Sequence, residues 1–289
     1  MKKGPITPKG FRDIRPEAAK KRRGAISKIC DVLEEFGFVP LETPTIEFAE
    51  TLLGKYGEEE KLIYQFTDRG GRDLALRYDL TIPLARFVAN NLDLVTPSFS
   101  RYQIGQVFRG EKPQKGRYRE FTQFDFDTVG STHEKIDAQI IAAAIKSARS
   151  LGLGGACMMI NDRKNFEGVT IEDIRMIDKI HKIGKENIEK KLWEFVEKLK
   201  PTENLQRIFA VLKSEYGLVE GQDFLFDPTL ARGLDYYTGV IFELKPNNKP
   251  EELSIGGGGR YDNLIGMFAG RQIPAVGFSF GLDRLIDFL

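Results

Sequence analysis

Phe108-Arg-Gly-Glu-Lys-Pro-Gln-Lys-Gly-Arg-Tyr-Arg-Glu-Phe-Thr-Gln-Phe-Asp-Phe-Asp127 decides how this chain folds. The pattern predicts a strand ending near Phe108, a loop dense in Arg, Lys, Gly and Pro, and a returning strand from about Arg119. Successive side chains of a strand point to opposite faces. Arg119, Phe121, Gln123, Asp125 and Asp127 therefore share one face, and Glu120, Thr122, Phe124 and Phe126 share the other. Phe124 and Phe126 mark the core side. A cation, a ring, an amide and two acids in one row are costly to bury unless something polar binds there. With the cationic loop beside it, the row predicts a pocket for an anionic, partly aromatic ligand that also carries positive charge.

The rest of the 289 residues narrows the chemistry. Composition is globular, 41% hydrophobic and 29% charged, which supplies ample core material. A net charge of +1 sets up no global basic field, so any nucleic-acid contact has to come from a local patch. Cys30 and Cys157 lie far apart in unrelated contexts and read as two reduced thiols of a cytosolic protein. No run approaches the ~18 apolar residues of a membrane span, and no apolar stretch follows the N-terminal lysines. A cytoplasmic chain is expected. His133 and His181 are the only histidines, so a His-based metal site or triad has almost no material. No P-loop occurs, and the Gly256–Arg260 run lacks dinucleotide-binding spacing. Phosphate is expected to meet arginines.

Periodicity predicts helices at 17–37, 80–92 and 133–151, an extended segment at 38–44, and a hairpin of 61–67 with 73–79. Residues 172–216 are Lys- and Glu-rich with apolar residues at helical spacing. Strands follow at 224–226, 240–244 and 253–255, then a closing helix from about Gly281. Strands early and late with helices outside predict the α+β class, an antiparallel sheet flanked by helices. The expected division is a core of 1–160 and 222–289 with a mainly helical insertion at 161–221.

Three more segments embed polar residues in strand-like sequence: Leu76–Thr81, Leu230–Gly239 and Ser254–Asp262. Each has a bland reading. Arg232 is a structural partner of Asp235, Tyr236 and Tyr237 are core aromatics, and the glycine run is a bulged turn. The functional alternative is a backbone that lets a flat ligand come close.

Together these segments resemble the catalytic domain of the histidyl-tRNA synthetases, a class II aminoacyl-tRNA synthetase family, from Phe11 to Leu289. Motif 1 matches the helix ending at Phe36 and the extended segment through Pro44, the family's dimer element. Motif 2 is the stretch quoted above, and motif 3 is Ala275–Arg284. Two histidine-specific signatures match Arg232–Tyr237 and Gly257–Asp262.

The resemblance implies a class II fold and a reaction. The carboxylate of L-histidine attacks the α-phosphate of ATP, supplied with Mg2+, to give histidyl-adenylate, which then acylates the acceptor end of tRNA(His). By motif position Arg109 would hold the α-phosphate and Arg284 the γ-phosphate, with Arg117 nearby, Glu111 on the nucleotide and Phe121 stacked on adenine. Arg232 would bridge the histidine carboxylate and the α-phosphate, where other class II enzymes use a metal ion; no side chain is assigned as a metal ligand. Asp79, Thr81 and Gln123 match positions that hold the α-amino group, with Leu80 between the first two. Asp127 and Tyr237 match those that read the imidazole, lined by Tyr236 and Tyr261. Gln114 and Arg119 fall where the family meets the acceptor end of tRNA. The family's bacterial branch has glutamates at Asp79 and Asp127; the shorter acids here resemble its archaeal and eukaryotic branch. A homodimer through motif 1 is also implied.

The chain stops five residues after Arg284. The family's anticodon-binding domain, of ~100 residues, is therefore expected to be absent. The regulatory subunit of ATP phosphoribosyltransferase, a synthetase-like histidine sensor, lacks the same domain. A pure sensor has no need of the phosphate-binding arginines Arg109, Arg117, Arg232 and Arg284, so the residues favour catalysis.

Overall fold

A computed structural model describes residues 5–113, 117–184, 188–231, 236–249 and 252–289. Helix α1 (Pro16–Glu35) leads to the edge strand β1 (Val39–Pro40). Pro16 suits the first helical turn, where an N–H has no partner, and Gly37, at φ 83°, carries the chain out at the other end. Strand β2 (Ile46–Phe48) and helix α2 (Ala49–Leu52) precede the hairpin of β3 (Gln65–Thr67) and β4 (Asp73–Leu76). Helix α3 (Thr81–Ala89) is followed by the long pair β5 (Phe99–Phe108) and β6 (Glu120–Val129), as the quoted stretch predicts. Helix α4 (Glu134–Ser150) and strand β7 (Cys157–Asp162) come next. Then follow helices α5 (Ile171–Asp178), α6 (Ile180–Ile183), α7 (Lys190–Lys198) and α8 (Glu203–Ser214). The last part holds β8 (Phe224–Phe226), β9 (Val240–Lys245), β10 (Gly256–Arg260), α9 (Gly266–Ala269), β11 (Ala275–Gly281) and α10 (Leu282–Asp287).

Eight strands join in the order β1-β5-β6-β11-β10-β9-β7-β8, and β2-β4-β3 form a small second sheet. The large sheet is antiparallel except for the β1–β5 and β7–β8 pairs. Directly opposed residues share a face, so register lays out the two sides. One row runs Leu244, Gly256, Phe280, Phe124, Ile104; the next runs Phe242, Gly258, Phe278, Phe126, Tyr102. These rings, with apolar faces of α1, α4, α8 and α10, form the main hydrophobic core. On the other face lie the rows Glu243, Gly257, Ser279, Asp125, Gln103 and Ile241, Gly259, Gly277, Asp127, Arg101. That face carries the polar cavity described below.

One expectation changes. The strand expected at 253–255 is instead the glycine run itself, which is regular strand over Gly256–Arg260. Its bareness makes room: a Cβ on Gly258 would overlap the Gly277 carbonyl oxygen, and one on Gly256 would fall 2.5 Å from the Phe278 ring. The helical residues of 172–216 also divide between two clusters. Leu205, Ile208, Phe209 and Leu212 of α8 belong to the main core, whereas Ile174, Ile177, Ile180, Ile188, Leu192 and Val196 form a small cluster with Phe166 and Ala231. The apolar stripe of α8 packs on α4 and so joins the main core.

Gly258→Ala is expected to destabilise the protein by about 1–3 kcal/mol in urea unfolding, since the strands must shift to admit a methyl group. Gly24→Ala, in an exposed turn of α1 with no atom within 4 Å of the added carbon, is expected to stabilise it by about 0.5–1 kcal/mol. Equal effects at the two positions would contradict the close-packing account of the run.

Candidate active site

A cavity of about 510 Å³ opens on the polar face of the sheet. Strand β6 supplies Phe121, Gln123, Asp125 and Asp127; the turn into α3 supplies Asp79 and Thr81; and β10 with its exit supplies the glycines and Tyr261. Arg109, Glu111 and Arg117 come from the β5–β6 connection and Arg284 from α10.

The cavity has two ends of opposite character. At one end Asp79, Asp125 and Asp127 are each at most 6% exposed. Asp79 Oδ1 accepts the Thr81 and Ile82 N–H groups, both at 3.0 Å, which caps the start of α3. Asp127 Oδ1 accepts from the Tyr261 hydroxyl at 2.5 Å, and its Oδ2 lies 2.7 Å from Nη2 of the fully buried Arg101, a contact ion pair without hydrogen-bond alignment. Gly277 exists for this carboxylate, because a Cβ there would overlap Asp127 Oδ1. Tyr236 stands edge-on to Tyr261 at 6.0 Å and tilts against Tyr237 at 4.7 Å, so three phenol rings wall the acids. At the other end Arg117 lies 3.4 Å from Glu111, and Arg284 donates to the Ser254 carbonyl at 2.8 Å. Arg109 stands between the ends, its guanidinium 4.2 Å from the Tyr78 ring and 5.1 Å from the Phe121 ring.

Electrostatics follow from burial. Desolvation pushes Asp125 up to about 7, helped by Asp127 and Asp79 and opposed by Arg101 and the Ser279 hydroxyl. Burial raises Asp79 and Asp127 as well; Arg109 opposes this at Asp79, and Arg101 and the Tyr261 hydroxyl oppose it at Asp127. Arg284 is lowered, first by burial and then by Arg117. Acids that resist ionisation and cations that repel one another are both relieved by a ligand of the opposite sign at each end.

The family model of the histidyl-tRNA synthetases matches residues 10–175 and 165–285. The chain belongs to the histidyl-tRNA synthetase family. Among its relatives, the histidine–tRNA ligase of Aeropyrum pernix is 44% identical over 98% of this chain and 74% of its own length. That of Treponema denticola is 39% identical over 96% of the chain and 72% of its own length. The histidyl-tRNA synthetase structure from a Nostoc strain superposes with a TM-score of 0.84 at 29% identity, over 99% of this chain and 75% of that one. A Bacillus halodurans structure titled both as an ATP phosphoribosyltransferase regulatory subunit and as a histidyl-tRNA synthetase has a TM-score of 0.83 at 24% identity, a likeness of fold.

Of the family positions, Asp79, Thr81, Arg109, Glu111, Arg117, Phe121, Gln123, Asp127, Tyr236, Tyr237, Tyr261 and Arg284 all line this one cavity. Arg232 and Gln114 lie outside the described residues. Leu80 is buried and turned from the cavity, which it borders only through its neighbours. Arg119 is likewise set apart: its Nε donates to the Glu111 carbonyl at 2.9 Å, bracing the connection whose other residues line the site. Strand alternation had grouped it with Phe121, but β6 begins one residue later. Sequence reasoning left Arg101, Tyr56 and Asp283 unassigned. Asp283 accepts from Arg12, from Arg22 Nη1 at 2.6 Å and from the Thr122 N–H at 2.8 Å, and so ties the first helix to the cavity wall.

Asp125→Asn gives a test of this electrostatic picture in the ligand-free protein. Asp125 ionises near 7 in the fold against 3.8 for a free side chain. Between those values the folded state holds the extra proton, so this group's contribution falls as pH rises from about 4 to 7 and stays low above. The variant is expected to melt several degrees higher than the parent at pH 8, with the gain shrinking toward pH 4. A lower melting temperature at pH 8 would contradict it.

Proposed function

We propose that the chain is a histidine–tRNA ligase whose cavity holds L-histidine at the acidic end and ATP at the cationic end. The observation that carries this is the two-signed cavity itself. An amino acid offers cations at its ammonium and side chain and an anion at its carboxylate, which has to meet the triphosphate. A site with acids at one end and arginines at the other accommodates both.

The residues then fall into roles. Asp79, Thr81 and Gln123 hold the α-ammonium group, and Asp127 with Tyr237 and Tyr261 reads the imidazole. A buried acid and phenol left unpaired by a wrong side chain make that discrimination strong. Arg109, at the junction, holds the α-phosphate where the histidine carboxylate attacks. Arg232 bridges carboxylate and α-phosphate on the strength of the family motif. Charge builds on the phosphoryl oxygens as pyrophosphate leaves, and fixed guanidinium groups stabilise it without reorganising. Arg284 and Arg117 take the outer phosphates, with Glu111 on the nucleotide and Phe121 offering a ring face to adenine. ATP enters as its Mg2+ complex. The histidyl group then passes to the acceptor end of tRNA(His), met by the connection that bears Gln114 and Arg119. The separately packed helical segment is assigned as an insertion in the catalytic core.

A homodimer through motif 1 belongs to the same proposal: Val39, Ile46, Phe48 and Phe66 present exposed apolar side chains around β1 and the small sheet. So does a cytoplasmic setting, with which the free thiols of Cys30 and Cys157 accord. No described helix is long and apolar enough to cross a membrane.

The protein is expected to exchange labelled pyrophosphate into ATP only when L-histidine is present. Arg109→Ala is expected to lower that rate by about 100-fold or more with its circular dichroism unchanged. Exchange independent of histidine, or a variant as fast as the parent, would sink the assignment. Sedimentation at micromolar concentration is expected to give twice the mass of one chain, and Phe48→Glu to halve it.

A further inference from the structure

Asp125 is the least provided-for acid in the cavity. Asp79 has two backbone N–H donors, and Asp127 has the Tyr261 hydroxyl and Arg101. Asp125 Oδ1 is buried with no hydrogen-bond partner, and Gln123 Oε1 on the same strand face shares that condition. The cross-strand neighbour that could serve Asp125 is turned elsewhere: Gln103 opposes it in register but donates its amide to Thr43 Oγ1 at 2.9 Å. Ser279 Oγ, opposite on β11, accepts from Gln123 Nε2 at 3.1 Å, and its hydroxyl serves the Asp125 carboxyl but leaves Oδ1 without a donor. One oxygen of a carboxylate that is 3% exposed and lines the cavity is therefore an acceptor without a donor.

Arg101 is its complement. It is fully buried, opposes Asp127 in the β5–β6 register, and does not reach the cavity. Of its donors, Nη2 touches Asp127 and the Leu80 carbonyl at 3.5 Å, while Nε and Nη1 have no partner. A guanidinium so poorly hydrogen-bonded holds its place by charge. It offsets two buried acids, Asp125 and Asp127, and a buried charge left without its counter-ion is strongly disfavoured.

We propose that Asp125 is a further substrate-recognition residue, a carboxylate that accepts from the cationic part of histidine between Gln123 and Asp127, and that Arg101 is the positioning residue that aims the acids from behind. This rests on histidine being the substrate of the cavity. The free protein then carries an acid that is fully hydrogen-bonded only when the substrate arrives, and a side chain of wrong charge leaves Asp125 Oδ1 unpaired.

The test measures steady-state pyrophosphate exchange in the parent, Asp125→Asn, Arg101→Met and the double variant, with histidine binding followed by calorimetry. A parent without histidine-dependent exchange would defeat the underlying assignment rather than this one. With an active parent, Asp125→Asn is expected to raise the histidine KM about ten-fold or more, with the ATP KM within about two-fold. A histidine KM within about two-fold of the parent's overturns the role of Asp125. Arg101→Met is expected to raise the histidine KM similarly, and the double variant to lose clearly less than the product of the single effects. Effects that simply multiply overturn the role of Arg101. If Arg101→Met does not fold, the double variant, with one acid fewer to offset, is expected to fold; its failure to do so also overturns that role.

Discussion

The Asp127 carboxylate sits between a buried guanidinium and a phenol, and the middle of the sheet is arranged around it. Arg101 approaches from β5, Tyr261 from the end of β10, and β11 gives way with a glycine at position 277. Each constraint fixes the register of a different strand against β6. A one-residue slip of β6 would put Phe124 and Phe126 in the polar cavity and the acids in the phenylalanine core. The carboxylate proposed to read the substrate is thus also one that the sheet cannot lose cheaply.

From that pair the site extends in two directions with opposite signs. Toward the phenols the floor is acidic, and toward α10 Arg117 and Arg284 stand beside Glu111, Glu243 and Asp283, with Arg109 at the junction against the rings of Tyr78 and Phe121. Burial makes both ends uncomfortable when empty. It raises the carboxyl groups and lowers Arg284. Under the proposed function, much of the attraction for histidine and ATP is the release of a penalty already present in the folded chain, at the expense of the stability of the free protein.

What the sequence showed and hid follows from the same physics. The alternation along 119–127 gave the two faces of β6 directly, since phenylalanines and acids cannot exchange places. The glycine run was harder, because glycine has low strand preference and its role there is to carry no side chain. Strand β7 escaped notice because every residue of Cys157–Asp162 is buried and no polar alternation marks it. Arg101 was invisible for another reason: a lone arginine in a strand reads as exposed until the register sets it opposite Asp127. The composition of α8 matches that of the charged segment before it, and only its apolar stripe on α4 assigns it to the main core.

A crystal structure with a non-hydrolysable sulfamoyl analogue of histidyl-adenylate tests the two-signed cavity most directly. The imidazole is expected within hydrogen-bonding distance of Asp127, the ammonium group among Asp79, Gln123 and Asp125, and the sulfamoyl group against Arg109. An imidazole lodged among Arg117 and Arg284, or an adenine over the three acids, would contradict it.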